Sequence, residues 1–408
     1  MIKGEMPSLA KNIISLRKKA GLTQEQLAKQ LFVSNKTISK WERGIGYPEI
    51  TQLPRIANLF GISIDKLLNE EHSGIVIAGN ILTDNIKLID SYPKKGMLST
   101  ISSLSRAVGG CVPNTAINLA KIDRTIPISA IGKIGDDDNG KYILMELQKN
   151  GIDTSNISLS QTAPTSFSDV MSIKTTGERT FFHHRGANAE FGPADIKIKS
   201  LDCKMLHIGY ILLLDSFDKT DDQFGTVMAH FLKEVQDQGI KTSIDVVSDS
   251  SGKFAEKVIP ALKYTDNAIM NEIEGCGVAE ISPRDKNGSI IKTNIYRAME
   301  KIMEYGVRER VIIHCPEGGF ILNKNGDFTE QPSLKLPEGF IKGSVGAGDA
   351  FCAGCLYGIY NGLSDIQILD FASGAAAINL SAEDSVSGMK SKESIIEFIN
   401  STPRFDNI

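Results

Sequence analysis

The spacing of apolar residues changes character once along the chain. Near the start, Leu9, Ile13, Leu16 and Ala20 recur every three or four residues, which predicts an amphipathic helix. Gly21 stops it, and Lys18 and Lys19 fall in the last turn, where cations suit the carbonyl end of the helix dipole. Thr23 then caps a short helix carrying Leu27, Ala28 and Leu31. After a turn at Phe32-Val33, Ser34 caps a third helix, Asn35 to Arg43, closed by Gly44. Two short helices joined this tightly make a helix-turn-helix. The third helix turns Ile38 and Trp41 inward and leaves Asn35, Lys36, Thr37, Ser39, Lys40 and Arg43 outside. That outer set mixes phosphate-seeking cations with side chains able to read base edges.

From Ile75 onward, brief apolar runs alternate with amphipathic stretches. Ile75 to Ala78, Ile128 to Ile131, Met205 to Ile208, Thr242 to Val246, Ala268 to Met270 and Val311 to His314 read as strands. Asn114 to Lys121, Gly140 to Asn150, Gln223 to Gln238, Lys292 to Tyr305, Ala350 to Tyr360 and Ile366 to Leu380 read as helices. Such alternation predicts an α/β fold built on a doubly wound sheet. Phe167 to Lys174 and Thr180 to His184, separated by a polar turn, form an antiparallel hairpin apart from that sheet, placed to act as a lid. The polar string Asn69 to Gly74 is the linker between the two patterns, giving an all-α domain at 1–70 and an α/β domain at 74–400.

Composition narrows the classes. The 408 residues are 41% hydrophobic and 23% charged, which excludes wholesale disorder and collagen-like structure. No apolar run approaches the roughly 18 residues of a membrane helix, and the polar start lacks a signal-peptide core, so no membrane partner and a cytoplasmic location are expected. Residues 1–70 hold 11 Lys and Arg against 6 Asp and Glu, a net +5, which leaves −9 for the remainder of a chain whose total is −4. A basic head on an acidic body implies that the head alone meets a polyanion. Of six cysteines only Cys352-Ala-Gly-Cys355 has metal-binding spacing; without a visible second pair of ligands these read as packing residues, with no metal held by protein alone.

The chemistry is concentrated in Lys342-Gly-Ser-Val-Gly-Ala-Gly-Asp-Ala-Phe-Cys-Ala-Gly354. Gly346 and Gly348 admit a ligand close to the backbone, and a helix opening near Asp349 aims free N–H groups at it. Asp349 at the mouth of that anion hole is placed to take a proton from an attacking hydroxyl while phosphoryl charge is absorbed around it. The stretch is neither a Walker A loop nor G-x-G-x-x-G.

Two resemblances follow. Leu27 to Ser34, Thr37 to Gly44 and Ile56 to Leu68 resemble a Cro/CI-type DNA-binding domain. Phe32 stands where that family often has glycine. The resemblance implies Arg17 and Gln24 near phosphates and Asn35, Lys36, Thr37 and Lys40 in the groove of double-stranded DNA. Gly346-Ala-Gly-Asp-Ala-Phe351 resembles the C-terminal signature of the ribokinase-like (PfkB-type) carbohydrate kinases. Gly109-Gly-Cys-Val-Pro-Asn114, Gly135-Asp-Asp with Gly140, Gly79 with Asp84, Gly186-Ala-Asn188 and Asn271-Glu-Ile-Glu274 are similar to other motifs of that family. It implies ATP and Mg2+, with Asp349 as the base and Gly346, Ala347, Gly348 and Gly319 on the nucleotide. Asp84, Gly110, Asn114, Asn188 and Arg185 would face the sugar, and Asn271 and Glu274 would be associated with magnesium and phosphate. Gly343, His314 and Pro316 depart from the family's pattern at positions linked to monovalent cation and nucleotide.

The expected molecule is therefore a ribokinase-like kinase with a small β lid, preceded by a helix-turn-helix domain. It phosphorylates a hydroxyl of a small sugar or sugar acid and binds DNA as a homodimer. A sugar-sensing regulator with a non-catalytic kinase-like body, or a nucleoside kinase, are the alternatives.

Overall fold

The computed structural model describes residues 8–62, 64–68, 73–175, 178–248 and 252–408; most of the expected linker and the tip of the lid hairpin lie outside the described residues. Contacts divide the chain into two compact units, Met1–His72 and Ser73–Ile408.

The first unit holds α1 (Ser8–Lys19), α2 (Gln24–Leu31), α3 (Asn35–Glu42), α4 (Leu53–Phe60) and α5 (Ile64–Leu68). Leu9, Ile13, Leu27, Leu31, Ile38, Trp41 and Ile56 form its core. Thr23 and Gln26 close a reciprocal capping box at the start of α2, which fixes the angle at which the chain enters the motif. Phe32 ends α2 in the left-handed conformation, with φ of 57°, and its ring is 87% exposed. The family's glycine is thus replaced at a position whose backbone still needs what glycine tolerates.

In the second unit the strands are β1 (Ile75–Gly79), β2 (Leu82–Ile89), β3 (Ile101–Gly109), β4 (Ile128–Gly135), β5 (Asp153–Ser160), β6 (Ser166–Ile173), β7 (Arg179–His184) and β8 (Met205–Ile211). They continue with β9 (Thr220–Asp221), β10 (Gly225–Thr226), β11 (Lys241–Val246), β12 (Asn267–Asn271), β13 (Arg310–Cys315), β14 (Gly318–Asn323) and β15 (Phe328–Pro332). The helices are α6 (Cys111–Ile122), α7 (Asp138–Lys149), α8 (Val227–Asp237), α9 (Phe254–Leu262), α10 (Glu272–Ala279), α11 (Lys292–Glu304), α12 (Ala347–Tyr360), α13 (Asp365–Asn379) and α14 (Lys392–Ser401).

Nine strands make the main sheet in the order β15-β14-β13-β12-β11-β8-β1-β4-β5, parallel except at the β13-β14-β15 edge. Separate apolar cores cover its two faces: α6, α12 and α13 pack on one side, α8 to α11 on the other. The doubly wound expectation is met. Helix α8 starts four residues later than the periodicity predicts, because Asp221 accepts the N–H groups of Gln223 and Phe224 and turns that segment into the β9-β10 hairpin.

The lid is larger than the predicted hairpin. β6 and β7 pair antiparallel as expected, but β2 pairs parallel to β6 on its other side and antiparallel to β3, giving a four-stranded sheet in the order β3-β2-β6-β7. Six of the nine residues of β3 are exposed, so its sequence carries no alternation to betray a strand.

Candidate active site and DNA-reading helix

In an open α/β sheet, ligands sit beyond the carboxyl ends of the strands. Here Tyr210, Asp245, Asn271 and His314 stand at the ends of β8, β11, β12 and β13 and line one cavity of about 240 Å³. The opposite wall is the start of α12, with Gly346, Ala347, Gly348 and Asp349. Gly346 has φ of 75°, and a Cβ there would lie 2.4 Å from Ser385 Cβ, so only glycine allows this turn. The turn leaves the Gly348 N–H without a backbone partner at the cavity wall, while the Ala347 N–H donates only over a long 3.4 Å to Ser344 O.

Asp349 is 6% exposed. Its Oδ2 accepts from Asn114 Nδ2 at 2.8 Å, and the Tyr210 hydroxyl donates to both carboxylate oxygens at 3.2 Å. Burial, reinforced by the neighbouring Asp245 charge, pushes the carboxyl up to about 7, against the pull of Asn114 and Tyr210. That is the range in which a carboxylate works as a general base near neutral pH. Tyr210 has a left-handed backbone, φ of 63°, held by its N–H donating to Asp245 Oδ1 at 2.5 Å. A bulky residue in that region stores strain, which the surrounding hydrogen bonds must offset.

Glu274 is raised by burial to about 8 while accepting from Asn271 N, Asn271 Nδ2 and Ser248 Oγ. Asn271 and Glu274 form the capping box of α10 and face the cavity together. Asp245, Glu274 and Asp349 thus surround one space that, among the described residues, no Lys or Arg lines. A divalent cation bound with phosphate fits this donor set, since its charge would offset the burial and carboxylate repulsion that raise Glu274 and Asp349.

On the lid side, burial pushes Asp84 of β2 up to about 7. Its Oδ2 lies 2.5 Å from where a Cβ on Gly109 would stand. Gly110, with φ of 86°, opens α6 and carries Asn114 to Asp349. Asn114 Oδ1 is buried without a partner. Arg185 is partly exposed and pairs with Asp215 at 3.1 Å.

In the first unit, Asn35, Lys36 and Lys40 are exposed and Thr37 half-buried along the outer face of α3, while Ile38 and Trp41 are buried. Arg17 departs from expectation. Its Nε and Nη2 donate to the buried Glu42 at 2.6 and 3.0 Å, and Nη1 donates to Leu22 O at 2.9 Å. The guanidinium is therefore spent inside the domain, tying α1 to α3, instead of reaching a phosphate. Gln24 donates to the same carboxylate at 2.7 Å, which leaves only its second amide hydrogen for a phosphate.

The model for the pfkB family of carbohydrate kinases matches residues 74–392. The chain belongs to that family. A helix-turn-helix model matches residues 13–67, so this PfkB kinase carries a DNA-binding type of domain at its head. The HTH-type transcriptional activator BcrR of Enterococcus faecalis is 39% identical over 121 residues, 28% of this chain; the chain spans 57% of that regulator. The 5-dehydro-2-deoxygluconokinase of Geobacillus thermodenitrificans is 24% identical over 73% of this chain and 85% of its own. The 2-dehydro-3-deoxygluconokinase of Bacillus subtilis is 24% identical over 75% and 90%. The ribokinase of Arabidopsis thaliana, solved with ribose and ATP, shares the fold at a TM-score of 0.67 and 19% identity, over 80% of this chain and 98% of that one.

Two residues expected at the ligands of this PfkB kinase sit elsewhere. Asn188 is fully buried, with Oδ1 accepting from Ile81 N at 3.0 Å and Nδ2 donating to Ile81 O at 2.9 Å, so it clamps the β1-β2 connection and does not face a sugar. Gly319 is buried under Leu369 and Phe351, where a Cβ would come within 2.9 Å of Leu369; it serves sheet-helix packing instead of lining the nucleotide cavity. The departures have local reasons as well. At Gly343 a Cβ would stand 2.9 Å from Glu383 O and 3.1 Å from Ala382 O, so a larger residue does not fit. The His314 ring packs tilted against Phe351 beside Gly348, and burial pushes it down to about 4; Pro316 is exposed in the following turn.

Tyr210, Asp245 and Ser248 escape the sequence reading. The available signal was a polar side chain at the carboxyl end of a predicted parallel strand.

No helix among the described residues is long and apolar enough to cross a membrane.

Proposed function

We propose that the body transfers the terminal phosphoryl group of magnesium-bound ATP to a hydroxyl of a small sugar acid or sugar. The observation that carries this reading is Asp349, buried at the mouth of the anion hole and held by Asn114 and Tyr210. The substrate hydroxyl gives its proton to Asp349 as its oxygen bonds to the terminal phosphorus. The bond to the bridging oxygen breaks, and its electron pair leaves with ADP. The N–H groups of Gly346, Ala347 and Gly348 donate to the phosphate oxygens and so stabilise their charge. Asn271 and Glu274 would hold magnesium, which would neutralise charge on the phosphates. Asp84, Gly110 and Asn114 orient the acceptor.

Two relatives act, by name, on deoxygluconate derivatives, and Arg185 offers a cation on the lid side; both support an acidic sugar. An ATP-consumption assay over sugars, sugar acids and nucleosides tests this, with turnover expected on a keto-deoxy sugar acid. Binding without ATP consumption across that panel would install the sensing regulator, the reading that the His314 ring beside Gly348 favours.

The head binds double-stranded DNA as part of a homodimer. One helix-turn-helix buries little surface, and such modules read half-sites about 34 Å apart. The exposed Ile101, Leu104, Phe181 and Phe182 of the lid sheet offer apolar area for self-association. A Lys36→Ala, Lys40→Ala double variant is expected to lose DNA affinity in a mobility-shift titration and to flatten its salt dependence. Unchanged affinity would remove α3 from the groove.

A further inference from the structure

The Cys352–Cys355 pair has the spacing of half a zinc site, and the fold separates its members. Cys355 is buried in the apolar core, whereas Cys352 turns its sulfur toward His207 of β8 and Asp245 of β11. His207 Nε2 lies 3.6 Å from Cys352 Sγ and 3.4 Å from Asp245 Oδ2, and the three donor atoms lie within 4.8 Å of one another. Zinc binds nitrogen and oxygen at about 2.0–2.2 Å and sulfur at about 2.3 Å, so a tetrahedral ion sets adjacent donors roughly 3.3–3.7 Å apart. Two edges already have that length.

The supporting contacts also suit a metal. Ser243 Oγ lies 3.1 Å from His207 Nδ1 and fixes the ring with Nε2 toward the sulfur. Tyr210 N–H donates to Asp245 Oδ1, which leaves Oδ2 facing His207. Outer contacts of this kind orient metal ligands. Asp245 and Cys352 line the cavity, so an ion has a path from solvent and room for a water as fourth ligand. Three protein ligands with one open position is a zinc geometry found at reactive sites.

We propose that His207, Asp245 and Cys352 form a zinc site in the floor of the catalytic cavity, and that zinc bound there blocks phosphoryl transfer. On binding, the Cys352 S–H bond breaks, its proton leaves to solvent and the thiolate bonds the ion; nothing is oxidised or reduced. The inhibitory half rests on the kinase reading above; the binding half does not.

The test uses the full chain, stripped with a chelator and titrated with zinc alone by calorimetry. One zinc per chain at micromolar concentration is expected, with a thiolate-to-cobalt charge-transfer band when cobalt replaces zinc. Cys352→Ala should lose both, and Cys355→Ala should keep them. Asp349→Asn should bind zinc as the native chain does while failing to consume ATP, which separates this site from the catalytic reading. Zinc should suppress ATP consumption by the native chain reversibly and leave the residual turnover of Cys352→Ala untouched. Absence of stoichiometric zinc, or of the cobalt band in the native chain, overturns the site without recourse to any variant. Zinc bound with turnover undiminished overturns the inhibition.

Discussion

Asp349 and Tyr210 act as a pair, and substitutions separate their roles. Asp349→Asn keeps the shape and removes the base, so turnover is expected to fall by about 10²-fold or more while calorimetric sugar affinity changes little. Wild-type turnover in that variant would show that another group takes the proton. Tyr210→Phe removes a hydrogen bond that pulls the Asp349 carboxyl down. The carboxyl must be ionised to act, so losing that bond moves the acid limb of the kcat/KM profile to higher pH and lowers the rate at pH 7 a few-fold. An unmoved limb would reduce Tyr210 to packing. Asp349 was legible in the sequence because its glycines and helix start surround it contiguously. Tyr210 and Asp245 were not: each comes from a different strand end and meets the site only through the sheet, at positions where a strand ending in a polar residue looks ordinary.

At the scale of elements, the first three helices of the head were readable almost to the residue, since their caps, stops and apolar periodicity are all local, while α4 and α5 were not read as helices. Arg17 was the exception, because its buried partner Glu42 lies 25 residues away and belongs to a helix face that reads as solvated. Phe32 allows a test of the local reading. It adopts φ of 57° with 87% of its surface exposed, so Phe32→Gly loses little packing and relieves the backbone. The head is expected to gain about 1 kcal/mol in chemical unfolding; a loss of stability would show that the ring makes contacts with a partner. In the body the buried parallel strands were legible as apolar runs, while β2 and β3 of the lid were not. A two-sided strand over a ligand cavity carries polar residues on both faces, which erases the period that marks a half-buried one.

For the molecule as a whole, the two units raise the question of whether sugar and DNA speak to one another. Binding linkage demands reciprocity: if sugar alters operator affinity by a factor of about 5 to 150, operator alters sugar affinity by the same factor. Paired titrations are expected to show this, and mutual indifference would leave two activities on one chain.

The position of Asp349 has a further consequence at this scale. Its carboxyl is about 7 in the folded chain, against about 3.9 when unfolded. The folded state therefore holds a proton that the unfolded state releases, and stability drains away as pH rises from about 4 to about 7. Asp349→Asn escapes that loss and should melt above the native protein at pH 8, the reverse of its effect on turnover. The same bias would operate in any laboratory selection. A random library of this gene sorted on heat resistance alone would be enriched for inert kinases, and only a screen that demands turnover at each round would keep the carboxylate.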